Sequence, residues 1–291
     1  NSSSCLGICG VRMKGWIALD IDGTITDDMH SVPPEVSSYL GSLVVQQWQI
    51  MFITGRTFSY AHSALKSLQF PYYLAVQNGA DIIQMPQKKM IARYYLQGAQ
   101  VIPVLEKFYN GQKEDYLIYS GFEKGDFCYW RPQHFSQEMI SYMQKLQKLA
   151  KEPWQAMESF AFEEQMSFPL IKCIGSKEVM EKIEAKLKDF TDVEKTMIRD
   201  TISNNLYLIL ITDSNATKGR ALTRMVDGKG RGRLIIAAGD DLNDLSMLKA
   251  ADIGIAMETA TKILLQEADI VASRASELGI IKALKEAVTK I

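Results

Sequence analysis

The sequence predicts an α/β protein: a parallel sheet covered by helices on both faces, interrupted once by an α+β insert. Three observations predict it. Short apolar runs alternate with amphipathic helical stretches over residues 14–92 and again over 213–291, which is how βα units read. Between them, residues 93–212 have a different grammar, with paired strand-like runs joined by turn residues. Finally, the apolar runs of the two outer regions end in acidic, hydroxyl or amide residues, and open parallel sheets bind ligands at that edge.

In the first region, strands are expected at 16–19, 50–53 and 72–76, with helices starting near Pro34 and Phe58. Ser31 ahead of Pro33 and Pro34 supplies the first helix start, since a serine can cap and proline suits the first helical turn. In the second region, strands are expected at 234–238, 253–256 and 270–272, and helical segments near Thr217, Leu242, Thr261 and Ser276. The insert reads as a helix at 100–109, then strands at 116–120 and 127–130 around Lys124, Gly125 and Asp126, a hairpin turn. A helix at 136–149, a strand at 170–174, a helix at 177–190 and strands at 193–198 and 206–212 complete it. Mostly antiparallel pairing is expected there. The organisation is a flexible leader at 1–13, a core of 14–92 with 213–291, and an inserted unit of 93–212.

Among the 291 residues, 33 lysines and arginines nearly balance 34 aspartates and glutamates, leaving a net charge of -1. That balance gives no broad basic field for nucleic acid or anionic lipid, so an anionic ligand must be held locally. No apolar stretch is long enough for a bilayer, and residues 1–13 carry Arg12 as their one basic residue, unlike a signal peptide. Cys5, Cys9, Cys128 and Cys173 are too unevenly spaced for a disulfide framework, and a reducing cytoplasm is the simplest compartment. His30, His62 and His134 are scattered, so Cys5 and Cys9 do not suggest a zinc site.

The chemistry is concentrated at the strand ends. After 16–19 comes Asp20-Ile21-Asp22-Gly23-Thr24; after 50–53, Thr54-Gly55-Arg56; after 72–76, Gln77-Asn78-Gly79; after 234–238, Gly239-Asp240-Asp241-Leu242-Asn243-Asp244. Any one of these alone reads as a turn or helix cap. Together on one sheet edge, Asp20, Asp22, Asp240, Asp241 and Asp244 could not all stay ionised without a cation, and an all-oxygen donor set implies Mg2+. Lys218, at the start of a helix whose dipole disfavours a cation, makes sense beside an anion.

In order and context, Asp20-Ile21-Asp22-Gly23-Thr24, Thr54-Gly55-Arg56, Thr217-Lys218-Gly219 and Gly239 to Asp244 resemble the four motifs of the haloacid dehalogenase (HAD) superfamily of phosphatases. The resemblance runs from Lys14 onward. Asn78-Gly79-Ala80 and the insert between the second and third motifs resemble the Cof-type branch, with a Rossmann-like core and an α+β cap. The resemblance implies Asp20 as nucleophile, forming an acyl phosphate, and Asp22 as general acid and base. It implies Mg2+ on the Asp20 carboxylate, the Asp22 main-chain carbonyl and Asp240, with Asp244 bound directly or through its neighbours. It further implies Thr54, Lys218 and Asn243 on the phosphate oxygens, Arg56 with Gly55 and Asn78 on the leaving-group side, Thr24 bracing the first loop, and Asp241 orienting its neighbours. One departure stands out: where the family often has Ala-Met-Gly-Asn-Ala, this chain reads Ala256-Met257-Glu258-Thr259-Ala260, adding negative charge near the acidic motif.

Selectivity is expected from the insert, whose Tyr119, Tyr129, Trp130, Arg131 and Trp154 either line a pocket or pack the cap core. The resemblance implies a small phosphorylated metabolite, sugar phosphates foremost. A phosphomutase or phosphotransferase on the same fold, and a non-catalytic sensor of phosphorylated ligands, are the alternatives.

Overall fold

Each central apolar run is hydrophobic on both faces and needs cover on both, so the runs become neighbouring strands beneath two helical layers. The computed structural model describes residues 13–162, 165–200, 202–203 and 205–291. Apart from Met13, the expected leader, with Cys5 and Cys9, lies outside the described residues. The chain begins with β1 (Gly15–Leu19), α1 (Pro34–Val45), β2 (Trp48–Ile53), α2 (Phe58–Leu65), β3 (Tyr72–Val76), β4 (Asp81–Met85) and β5 (Lys89–Arg93). It continues with β6 (Leu96–Gln97), α3 (Gly98–Tyr109), β7 (Tyr116–Tyr119), β8 (Cys128–Trp130), α4 (Gln137–Ala150), β9 (Trp154–Ala156) and β10 (Ser167–Phe168). Next are β11 (Leu170–Gly175), α5 (Lys177–Lys186), β12 (Val193–Arg199) and β13 (Tyr207–Asp213). The chain returns through α6 (Lys218–Lys229), β14 (Leu234–Gly239), α7 (Leu245–Ala250), β15 (Ile253–Met257), α8 (Lys262–Glu267), β16 (Ile270–Ala272) and α9 (Gly279–Val288).

One sheet has the order β16-β15-β14-β1-β2-β3-β4-β5, parallel from β16 to β3. Alternate residues face opposite layers. Ile17, Leu19, Ile50 and Phe52 pack with Leu40 of α1, Leu65 of α2 and Leu284 of α9. Trp16, Ala18, Met51 and Ile53 pack with Leu222 of α6, Leu248 of α7 and Leu264 of α8. Register then places the chemistry: Leu19 is opposite Ala238 on one side and Phe52 on the other, and Ile53 is opposite Ala75. Asp20, Asp240, Thr54 and Asn78 therefore leave the sheet along one edge.

The expected parallel sheet gains an antiparallel margin, β4 and β5. Gln77, Asn78 and Gly79 all have left-handed backbones, which turn the chain straight back after β3. At Gly79 a Cβ would meet that of Ala221 at 2.8 Å, so the glycine also lets α6 approach. The helix expected near Leu242 is a 3-10 turn at Leu242–Asp244 leading into α7. Ser31 is not the cap of α1: Pro33 holds that position, and the Ser31 hydroxyl donates to Asp28 Oδ2 at 2.7 Å.

The insert forms a second sheet, β12-β13-β11-β7-β8-β9, antiparallel except between β8 and β9. The hairpin of β7 and β8 pairs Ile118 with Tyr129 and Tyr119 with Cys128. Val101 of α3 and Ile183 of α5 cover one face of this sheet, and Met143 of α4 lies on the other. The α4 side meets the core. There Asp126 Oδ2 accepts from Ser59 N and Glu152 Oε2 from the Thr57 hydroxyl, both at 2.6 Å, so two insert carboxylates bind the N-terminal turn of α2. No helix among the described residues is long and apolar enough to cross a membrane.

Candidate active site

Asp20 directly follows β1 and is anchored by its amide, which donates to Ala238 O at 3.0 Å. Lys218, the first residue of α6, is brought to it because Thr217 caps that helix with its side chain. The Lys218 ammonium donates to Asp20 Oδ1 at 2.7 Å and to Asp244 Oδ1 at 2.6 Å. Asp244 is wholly buried, and its other oxygen accepts from the amides of Asp240 at 3.0 Å and Asp241 at 3.1 Å. Asp241 caps the turn through the Leu242 amide at 2.6 Å.

Asp20, Asp240 and Asp244 each offer an oxygen, all within 4.8 Å of one another. Burial, then repulsion from Asp244, pushes the Asp20 carboxyl up to about 8 against the pull of Lys218. Burial, Asp20 and Asp244 push Asp240 up to about 9. Burial alone would lower Lys218, but Asp20 and Asp244 overcome it and raise the ammonium above its ordinary value. Three carboxylates around one ammonium leave excess negative charge, and oxygen donors without histidine or thiolate fit a hard divalent cation. Gly23 keeps space beside this group: a Cβ there would lie 2.1 Å from Asp240 Oδ2.

Asp22 is held apart from the cluster. Its carboxylate is forked by Arg56, with Nε 2.8 Å from Oδ2 and Nη2 2.5 Å from Oδ1. Arg56 also donates to Met29 O at 3.0 Å and lies over the Tyr60 ring at 3.9 Å. The Thr54 hydroxyl accepts from Arg56 N at 3.1 Å, and Asn243 Nδ2 donates to Asn78 Oδ1 at 3.3 Å. Gly55 stands near Asn78 Oδ1, where a Cβ would make an ordinary 3.5 Å contact.

Asp20, Asp22, Thr54, Gly55, Arg56, Lys218, Asp240 and Asn243 share one cavity of about 320 Å³ between the strand ends and the insert. Asn78 lines an adjoining hollow with Lys218 and Asn243, and Asp244 lies beneath the floor. Larger hollows of about 910 and 620 Å³ lie on the insert, away from these groups.

Several expectations are corrected. Thr24 does not brace the first loop through its hydroxyl, which is buried without a partner among the described residues. Thr26 does so, donating to Ser31 O at 2.7 Å and accepting from Asp28 N at 2.9 Å. Glu258 adds no unpaired charge beside the acidic cluster: it is exposed and accepts from Arg274 Nε at 2.9 Å. Of the two readings open for Tyr119, Tyr129, Trp130, Arg131 and Trp154, packing within the cap is the one found, and none of them lines this cavity. Trp130 and Trp154 pack edge to face at 5.5 Å, and Arg131 is bound by Asp115 at 2.7 Å. The wall uses Tyr60, Tyr142 and Lys172, which sequence reasoning missed. For Lys172 the signal was present: it interrupts the apolar alternation Leu170-Lys172-Ile174 of a central strand.

A family model for haloacid dehalogenase-like hydrolases matches residues 17–284. The phosphatase YwpJ of Bacillus subtilis (strain 168) is 25% identical over 92% of this chain and 98% of its own length. A haloacid dehalogenase-like hydrolase structure from B. subtilis superposes with a TM-score of 0.76 at 22% identity, covering 93% of this chain and 99% of that one. The structure of BT4131, described as a HAD subclass IIB sugar phosphatase, gives 0.72 at 19% identity, covering 94% and 98%. The chain belongs to the haloacid dehalogenase-like hydrolase family, as a phosphohydrolase of the Cof-type branch.

Proposed function

We propose that this protein hydrolyses phosphate monoesters of small metabolites, sugar phosphates foremost, with Mg2+ and through a phosphoaspartate on Asp20. The observation that carries this reading is the Lys218 ammonium shared between Asp20 and Asp244, with Asp22 fixed separately by Arg56 in the same cavity. A pure binder needs no nucleophile beside a separately held acid.

In this reading an Asp20 oxygen attacks phosphorus, the ester P–O bond breaks, and Asp22, entering the step as the protonated acid, gives its proton to the departing alkoxide. Water then attacks the acyl phosphate as Asp22 takes its proton. The bond to Asp20 breaks and inorganic phosphate leaves. Lys218, Thr54 and Asn243 hold the phosphoryl oxygens as charge redistributes. Asp20, Asp240 and Asp244, with the Asp22 carbonyl, would hold Mg2+, which supplies charge neutralisation when bound. Residues 93–212 act as the cap that contacts the leaving group and excludes water.

Sugar monophosphates incubated with enzyme and Mg2+ should yield inorganic phosphate and free sugar, and EDTA should stop it. Isomerised sugar phosphate without free phosphate would favour a mutase. Binding without either product would favour a sensor.

A further inference from the structure

The cap wall of the catalytic cavity contains a charge where a core residue belongs. Lys172 sits in β11 on the same face as Leu170 and Ile174, with Leu210 of β13 and Leu117 of β7 as its cross-strand neighbours. Those four neighbours belong to one buried apolar cluster of the cap. Lysine in the middle of such a face weakens packing and takes an ammonium partly out of water. Its Nζ lies 5.1 Å from the Tyr119 ring centroid and makes no hydrogen bond or ion pair among the described residues.

Two acids share this wall: Glu152, on which Lys172 is the main attraction favouring the ionised form, and Asp200, and both also accept hydrogen bonds from neutral groups. Glu152 accepts from the Thr57 hydroxyl at 2.6 Å and from Trp154 Nε1 at 3.1 Å. Asp200 accepts from the Tyr142 hydroxyl at 2.8 Å and from the amides of Ile202 at 3.0 Å and Ser203 at 2.5 Å. Lys172 and the apolar residues Leu146, Ile198 and Leu208 line the same cavity as Asp20 and Lys218. The cavity thus has cationic groups in both the core and the cap.

We infer that Lys172 is a specificity-determining residue that pairs with a second anionic group, a carboxylate or another phosphate, on the alcohol released from the phosphate ester. This rests on the phosphatase reading and narrows its substrate class. Lys218 receives the phosphoryl group that reacts, and Lys172 receives the remote anion. A charge-assisted contact of this kind changes kcat/KM by about tenfold to a hundredfold.

The test is a matched pair: 6-phosphogluconate, which ends in a carboxylate, and sorbitol 6-phosphate, which ends in a hydroxymethyl group. With Mg2+, wild type should favour the carboxylate by about tenfold or more in kcat/KM. Lys172→Met should bring that ratio to near one, and Lys172→Arg should preserve most of it. A wild-type ratio near one overturns the inference even if no variant folds, as does a ratio unchanged in a folded Lys172→Met. Failure of wild type to release phosphate from either ester or from 4-nitrophenyl phosphate would overturn the hydrolase reading and this inference with it. Release from 4-nitrophenyl phosphate combined with equal use of the matched pair overturns this inference alone.

Discussion

Arg56 grips the carboxylate of Asp22 with two hydrogen bonds, Nε to Oδ2 at 2.8 Å and Nη2 to Oδ1 at 2.5 Å. The guanidinium is itself fixed by Met29 O at 3.0 Å and the Tyr60 ring, so Asp22 is oriented by a buried anchor. Lysine cannot reproduce that fork. Arg56→Lys should lower kcat by about tenfold to a hundredfold, with a smaller change in KM, because the proton-transfer group is misplaced while the phosphate contacts remain. Steady-state kinetics on an aryl phosphate checks it. A change confined to KM would place Arg56 on the substrate instead.

Lys218 and Asp244 are both buried and lie 2.6 Å apart. Lys218→Met leaves the buried Asp244 carboxylate without its counter-charge, so it should cost about 3–5 kcal/mol in urea unfolding and abolish turnover. Adding Asp244→Asn should recover part of the stability and none of the activity. Equal stability of the single and double variants would show that the ammonium does not compensate Asp244.

Asp20 and Asp240 are raised to about 8 and about 9 from an ordinary 3.8, chiefly by burial and neighbouring carboxylates. The metal-free fold therefore keeps protons that the unfolded chain has released, and loses stability as pH rises from about 4 through 9. A divalent cation replaces those protons. Thermal unfolding should show a gain in Tm with Mg2+ that is larger at pH 9 than at pH 6 and is cancelled by EDTA. A gain that shrinks as pH rises would contradict a carboxylate-held ion.

Glu258 is paired with Arg274 at the surface. Glu258→Gly should leave kcat/KM and the Mg2+ concentration for half activity within about twofold of wild type, because exposed pairs contribute little. A larger shift in Mg2+ dependence would show that its charge reaches the acidic cluster.

The parallel sheet and the residues at its edge were legible because each apolar run ends directly in its polar motif, and strand register then carries Asp20, Thr54, Asn78 and Asp240 to one level. What sequence periodicity could not supply was partnership in space. Arg56 and Asp22 lie 34 positions apart, Thr57 and Glu152 95 apart, and Lys218 and Asp20 198 apart. The antiparallel margin was missed although Asn78-Gly79 between two apolar runs is a signal for a chain reversal; only the left-handed backbone at Gln77 is one its residue type does not suggest. Thr24 and Thr26 could not be told apart as braces, since the loop's hydrogen bonding depends on which hydroxyl faces Ser31. The aromatic residues of the insert fitted both cap core and cavity wall by strand pattern alone, and packing put them in the core.

The most direct measurement is Mg2+-dependent phosphate release from 4-nitrophenyl phosphate by wild type and Asp20→Asn in parallel, with circular dichroism confirming that both fold. Turnover in wild type that falls by at least about a thousandfold in Asp20→Asn is expected, because the amide cannot form the acyl phosphate. Equal turnover by the two proteins would mean that Asp20 is not the nucleophile.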